Sequence, residues 1–251
     1  MVSAEEKLQF QEQGFLVKRQ MIDQGLLEDI RQQAKHHLHN RLPPFELEAV
    51  VQYPGAPTSV QAQGGDTIRR LLLAFSRGES IRQWAKNKMV KSILSELFDD
   101  DTVMLSQSHH NCIMTKQPNY SSSTGWHKDI RYWKFSNDFL INTWLALGAE
   151  THDNGCLRII PGSHLWMPEK DQMDDVLFLK EDRLKNDDWL DKAIEVELQA
   201  GDVLFFHAAL FHAAGNNKHD QSKFSLVFTY HSSQTQPLEN TKSTSYEEIT
   251  I

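Results

Sequence analysis

Residues 101–114 read DTVMLSQSHHNCIM, and this stretch decides the fold. Before it, apolar residues recur at helical spacing. From here on they come in short runs rich in β-branched and aromatic side chains. The runs 103–114, 139–147, 157–160, 194–198, 203–206 and 224–230 are all strand-like. Asp153-Asn154-Gly155, Pro161-Gly162-Ser163, Ala200-Gly201-Asp202 and Gly215-Asn216-Asn217 supply turn chemistry between them.

Upstream, Ser3 and Glu6 have the spacing of a capping box, and Gly14 is a natural helix stop. Phe15-Leu16-Val17 is a short strand candidate. Leu26, Leu27, Ile30, Ala34 and Leu38 form one face of a helix over about 23–39, and Ile81, Trp84, Ala85, Val90, Ile93, Leu94 and Leu97 form the apolar face of another over about 80–98. Between them Pro43, Pro44, Pro54, Gly55, Pro57, Gly64 and Gly65 predict irregular chain over 42–66. Residues 166–192 predict a charged loop with a short helix. Helices followed by many short strands imply a mainly β fold with a helical N-terminal layer, a jelly roll. The expected organisation is one domain over 1–251, with the helical layer over about 1–100 and the jelly-roll core over about 101–232.

At 251 residues the chain can bury a substantial core. The absence of any ~20-residue apolar run argues against membrane insertion, and a net charge of −8 argues against a general nucleic-acid binder. The acidic, amphipathic N-terminus lacks the layout of a secretory signal. Two cysteines, Cys112 and Cys156, do not make a disulfide framework, so a reducing cytoplasm is expected.

His127-Lys128-Asp129 is a His-x-Asp pair, and a chain with 12 histidines yields about one such pair by chance. It gains weight from His212, which ends the strand-rich segment 201-GDVLFFHAALFH-212. A jelly roll brings sequence-distant strands together, and two imidazoles with one carboxylate on one face of an ion leave its other positions open. That donor set suits Fe(II) oxygenases.

The segments Trp126 to Trp133, Asn154-Gly155-Cys156-Leu157, Pro161-Gly162-Ser163-His164 and Gly201-Asp202 through Phe206-His207 to His212 together resemble the phytanoyl-CoA dioxygenase family. The resemblance spans about residues 100–231 and extends to the opening Gly14-Phe15-Leu16-Val17. It implies a double-stranded β-helix (a cupin-like jelly roll), with His127, Asp129 and His212 as iron ligands and 2-oxoglutarate and O₂ as cosubstrates. It also implies a hydroxylase releasing succinate and CO₂, since Asp129 is retained where related halogenases carry a small residue. His207 is not expected to bind metal.

The resemblance further implies a cosubstrate pocket. Where the family has an arginine for the far carboxylate of 2-oxoglutarate, this chain has Lys223, which supplies charge but not a bidentate fork. Gln107, His109 and Asn111, on one face of an alternating strand, and Trp144 are the other expected cosubstrate residues, with Arg69 or Arg70 as a further cation. Arg131, Tyr132, Trp133 and Arg158, with Lys128 and Lys134 nearby, suggest a small anionic substrate such as an acyl-CoA or sugar acid. The competing readings are a cupin-like metalloenzyme without 2-oxoglutarate and a non-catalytic jelly-roll binding module.

Overall fold

The computed structural model describes residues 2–51, 53, 56–184 and 188–251; Pro54, Gly55 and part of the 166–192 loop lie outside them. In chain order the elements are α1 Ala4–Gln13, β1 Phe15–Lys18, α2 Gln24–His39, β2 Phe45–Leu47, β3 Ile68–Leu72, α3 Glu79–Ala85, α4 Lys88–Phe98, β4 Val103–Lys116 and β5 Thr124–His127. There follow β6 Leu140–Ala146, β7 Leu157–Ile159, β8 Ile194–Val196, β9 Val203–His207, β10 His212–Ala214, β11 Lys223–Ser232 and β12 Ile249–Thr250.

Local chemistry sets the helix ends. Ser3 and Glu6 form the expected capping box, and Gly14 closes α1 at φ +79°, where an added Cβ would lie 2.5 Å from His164 Nδ1. Asp23 caps α2 through the amides of Gly25 and Leu26. The single helix expected over 80–98 is two, because Asn87 interrupts the chain and caps α4 through Met89 and Val90.

The strands form two antiparallel sheets. The larger has the order β1-β9-β6-β11-β4-β3-β2, with β12 also on β4; the smaller has the order β5-β10-β7-β8. The N-terminal hundred residues are therefore not only a helical layer: β1, β2 and β3 complete the large sheet. The expected irregular stretch contains β2, whose partner β3 had too short and too charged a run (IRRLL) to stand out.

Packing follows the two-residue alternation of the strands. On one face of the large sheet Ile141, Leu145, Val203, Phe205, Leu226, Phe228 and Tyr230 pack against Leu27, Ile30, Trp84 and Leu94 of the helices. On the other, Trp144, Leu204, Phe206 and Val227 meet Leu157 and Ile159 of the small sheet. Each fully buried Leu or Phe contributes roughly 1.5–3 kcal/mol of apolar burial, so β11, buried along its whole length, is a central stabilising strand. A third cluster (Trp126, Ile160, Leu179, Leu184, Phe211) lies beneath the 166–192 segment, which forms short 3-10 turns where a helix was expected. Cys112 and Cys156 are buried and free. Among the described residues no helix is long and apolar enough to cross a membrane.

Candidate metal centre and its cavity

His127 ends β5 and His212 begins β10, and the two are direct cross-strand partners in the small sheet. Their rings are therefore neighbours, with centroids 4.2 Å apart. Asp129 follows two residues later in a 3-10 turn. Its Oδ1 lies 3.6 Å from Nε2 of each histidine, and the three donor atoms all fall within 4.8 Å of one another. Ligands at right angles about an ion at ~2.1 Å are separated by roughly 3 Å, so small side-chain adjustments bring all three onto one ion.

The surroundings prepare these atoms for a cation. His127 Nδ1 lies 2.9 Å from the Gly125 carbonyl and His212 Nδ1 lies 3.1 Å from the Leu210 carbonyl. A proton on each Nδ1 leaves the Nε2 lone pair facing the site. Burial holds both imidazoles neutral, pushing His212 down to about 3. Burial alone would raise the Asp129 carboxyl, but the charge of His110 and hydrogen bonds from His110 and His127 hold it well below the usual carboxylate range. The donor set, two neutral imidazoles and a carboxylate, fits a divalent iron ion.

Asp129 is gripped on both oxygens. Oδ2 accepts from Asn142 Nδ2 at 2.7 Å, and Thr229 Oγ1 donates to Asn142 Oδ1 at 2.6 Å. Oδ1 lies 2.9 Å from His110 Nε2. Strict alternation puts His110 on the face opposite His109, away from the expected cosubstrate side. The ladder is also broken: Phe228 of β11 pairs with Asn111 while Thr229 pairs with Ser106, so residues 107–110 bulge out of register. The face that His110 shares with Cys112 is the one turned toward the small sheet, since Cys112 pairs with Val227 and both pack with Leu157 and Ile159. Sequence reasoning missed His110 by taking the face of Gln107, His109 and Asn111 as the inward one. Asn142 was missed as one polar residue inside an apolar strand.

The triad opens onto a cavity of about 680 Å³. Lys223, Asn111, Trp144, Gln107, His109, Arg131, Tyr132 and Trp133 all line it. Several are already engaged. Asn111 Oδ1 accepts from the Phe75 amide at 2.8 Å, Gln107 Nε2 donates to the Glu247 carbonyl, and His109 stacks on Trp133 at 4.6 Å. Arg131 donates to the Leu177 carbonyl and lies 4.1 Å above the Phe178 ring. Arg158 does not line the cavity. It sits between inward Leu157 and Ile159 on β7, so alternation sends it to solvent, where it covers Trp126. Lys128 also turns away, donating to the Trp166 carbonyl at 2.7 Å. His207 stacks on Phe139, away from the triad's donor atoms.

One end of the cavity is basic. Lys223 Nζ donates to Glu150 Oε2 at 2.7 Å, while Ser225 Oγ and Trp144 Nε1 donate to Oε1 at 2.6 and 2.9 Å. Glu150 is fully buried and gave no sequence signal. Arg69 pairs with buried Glu48 at 3.2 Å and donates to Ser122 and Thr124. Arg70 pairs with Glu46 at 2.8 Å. Lys116 donates to the Ser122 carbonyl at 3.1 Å and, among the described residues, makes no ion pair. Burial, reinforced by Arg69 and Lys223, pulls its ammonium down to about 7.

A profile of the family described as Phytanoyl-CoA dioxygenase (PhyH) matches residues 10–225. A probable phytanoyl-CoA dioxygenase of Caenorhabditis elegans is 24% identical over 225 residues, which cover 87% of this chain and 72% of that protein. The peroxisomal phytanoyl-CoA dioxygenase of Homo sapiens is 22% identical over 233 residues, 87% of this chain and 65% of that one. Among solved structures, the epimerase SnoN in complex with Fe³⁺, alpha ketoglutarate and nogalamycin RO superposes with a TM-score of 0.71 at 19% identity, covering 91% of this chain and 83% of that one. EctD from S. alaskensis with 2-oxoglutarate and 5-hydroxyectoine gives 0.70 at 17% identity, covering 93% and 77%. These superpositions carry the double-stranded β-helix fold, and the profile carries the family. This chain belongs to the phytanoyl-CoA dioxygenase family and is a 2-oxoglutarate-dependent non-haem iron oxygenase.

Proposed function

We propose that His127, Asp129 and His212 hold Fe(II) and that the enzyme hydroxylates a small anionic metabolite, releasing succinate and CO₂. The observation that carries the reading is the convergence of two Nε2 atoms and Asp129 Oδ1 on the wall of a cavity of about 680 Å³. When bound, iron and 2-oxoglutarate supply the activation of O₂ and the oxidising power. The chain's own residues orient and shield. Gly125 and Leu210 carbonyls fix the two imidazoles, and Asn142 and His110 fix the carboxylate.

The basic end of the cavity, with Lys223, Lys116 and Arg69 beside Trp144, suits the far carboxylate of the oxoacid. Because Lys223 is shared with Glu150, binding there rests on the group of cations rather than on one unpaired lysine. Gln107, His109 and Asn111 serve this reading as wall residues, held in place by their own partners. Tyr132, Trp133, Val176, Phe178 and Tyr246 also give the cavity an apolar and aromatic lining, and Arg131 and Lys242 add positive charge. Those two cations support an anionic substrate. Asp129, by filling the carboxylate position, favours hydroxylation over halogenation. Free, buried Cys112 and Cys156 support a reducing compartment such as the cytoplasm.

The test is anaerobic addition of Fe(II) and 2-oxoglutarate to metal-free protein. A visible charge-transfer band that His212→Ala abolishes and Asp129→Ala weakens is the expected result; bands of parental strength in both variants sink the assignment. Screening anionic metabolites by mass spectrometry for gain of one oxygen, coupled to succinate, then tests the substrate class. Uniform inertness of anions beside turnover of neutral compounds refutes that part.

A further inference from the structure

The family match ends at residue 225, but residues beyond it reach the metal site. After β11 the chain turns back, and β12 pairs with β4 at Leu105 and Met104. On the same edge of β4, β3 pairs with Cys112, Ile113 and Met114. The bulged residues 107–110 fall between these two ladders and take their partners largely from the returning segment. Gln107 Nε2 donates to the Glu247 carbonyl at 2.7 Å, and the Tyr246 amide donates to Ser108 Oγ at 3.1 Å. His109 Nε2 lies 2.8 Å from Ser243 Oγ, which also accepts from the Lys134 amide at 2.9 Å. A further tie joins Glu248 Oε1 to buried His231 Nε2 at 2.6 Å. Trp133 stacks on His109 and meets His110 edge-on at 5.5 Å. The fourth bulged residue, His110, is the one that contacts Asp129.

We infer that residues 242–250 form a strap that fixes the β4 bulge, and that His110 is thereby a positioning residue for the metal-binding carboxylate of Asp129. The inference rests on the proposal that Asp129 binds the metal. A carboxylate turns freely about its Cβ–Cγ bond unless both oxygens are held. Asn142 holds Oδ2 and His110 holds Oδ1, so the metal-facing oxygen is aimed before an ion arrives. The bulge cannot hold His110 there through a ladder, since residues 107–110 have no register partner on β11. The strap supplies that restraint, and through Lys242 and Tyr246 it also walls the cavity. The strap therefore ties the cavity wall formed by Lys242 and Tyr246 to the bulge next to His110.

The experiment measures Fe(II) affinity of the metal-free full-length protein under anaerobic conditions, by competition with a chromophoric chelator, with melting curves as a folding control. His110→Ala is expected to weaken binding about 10–100-fold, the usual cost of losing an outer-shell partner. His110→Gln, whose amide can still donate to Oδ1, is expected to recover most of it. In the Fe(II)–2-oxoglutarate complex, His110→Ala moves the charge-transfer band to longer wavelength, because a carboxylate freed of its donor gives more charge to the metal. Ser243→Ala is expected to weaken Fe(II) binding in the parent background but to add nothing to His110→Ala, since both act through one contact. Parental affinity and an unmoved band in a folded His110→Ala protein overturn the positioning role. Parental affinity of Ser243→Ala, or full additivity in the double variant, overturns the strap, and this arm stands even if His110→Ala fails to fold. If Asp129→Ala itself binds Fe(II) as the parent does, the metal assignment has failed rather than the strap.

Discussion

Lys223 and Glu150 form a buried ion pair at 2.7 Å, with Glu150 also accepting from Ser225 and Trp144. The lysine expected to meet the far carboxylate of the cosubstrate is thus already partnered within the fold. Breaking such a pair by removing one member leaves an uncompensated buried charge, at a cost of about 3–5 kcal/mol. Lys223→Met is expected to lower stability by that order in urea unfolding. The double replacement Lys223→Met with Glu150→Leu, which removes both charges, is expected to recover most of the loss. A double variant as unstable as the single one contradicts the pairing.

Metal binding and folding are linked, because the cross-strand approach of His127 and His212 exists only in the folded sheet. An ion at a hundred times its dissociation constant stabilises the native state by about 2.7 kcal/mol. Fe(II) is expected to raise the melting temperature of metal-free protein, and chelation to reverse it. In His212→Ala the shift should vanish.

His207 gives an acid-sensitivity prediction separate from the metal ligands. Burial, with His164 and Lys128 adding to it, lowers its imidazole to about 3, and its Nδ1 accepts from the Ala209 amide at 3.0 Å. The unfolded chain takes up a proton near pH 6.5 that the folded chain refuses. The stabilising contribution is therefore complete above that pH and lost as pH falls toward 3. Within this window His207→Asn should flatten the dependence of unfolding free energy on pH by up to about 1.4 kcal/mol per pH unit. Identical slopes in parent and variant would show that His207 is not held neutral.

Arg131 packs over Phe178 and lines the cavity. If it meets an anionic substrate, Arg131→Met removes a charged contact worth about 1.5–3 kcal/mol. The expected result is a rise in KM of roughly ten- to a hundredfold with kcat little changed, the pattern of lost uniform binding. Loss of kcat at constant KM would place Arg131 in a different role.

The helical face of α2, the capping box of α1 and most core strands were legible because each depends on neighbours in sequence, where periodicity and cap residues act. The short ladder of β2 and β3 was not, since its pairing is decided by the edge of β4 rather than by its own composition. His127, Asp129 and His212 could be singled out from residue type, spacing and resemblance, and the fold brings the three together. Arg158 was misplaced because proximity in sequence to a strand end says nothing about which face a side chain takes.

By itself the sequence determined a β-rich chain with a helical opening, and nominated a His-Asp-His set, because helix and strand periods and ligand types are written locally. Only the tertiary structure decided what surrounds that set: His110 on Asp129, Asn142 on the opposite oxygen, and Glu150 on Lys223. Asn142 and Asp129 are 13 residues apart, His110 on β4 meets Asp129 in the turn after β5, and Lys223 and Glu150 are 73 residues apart. Such contacts follow from ladder register and burial of charge across the assembled sheets, for which no local pattern of residues is a substitute.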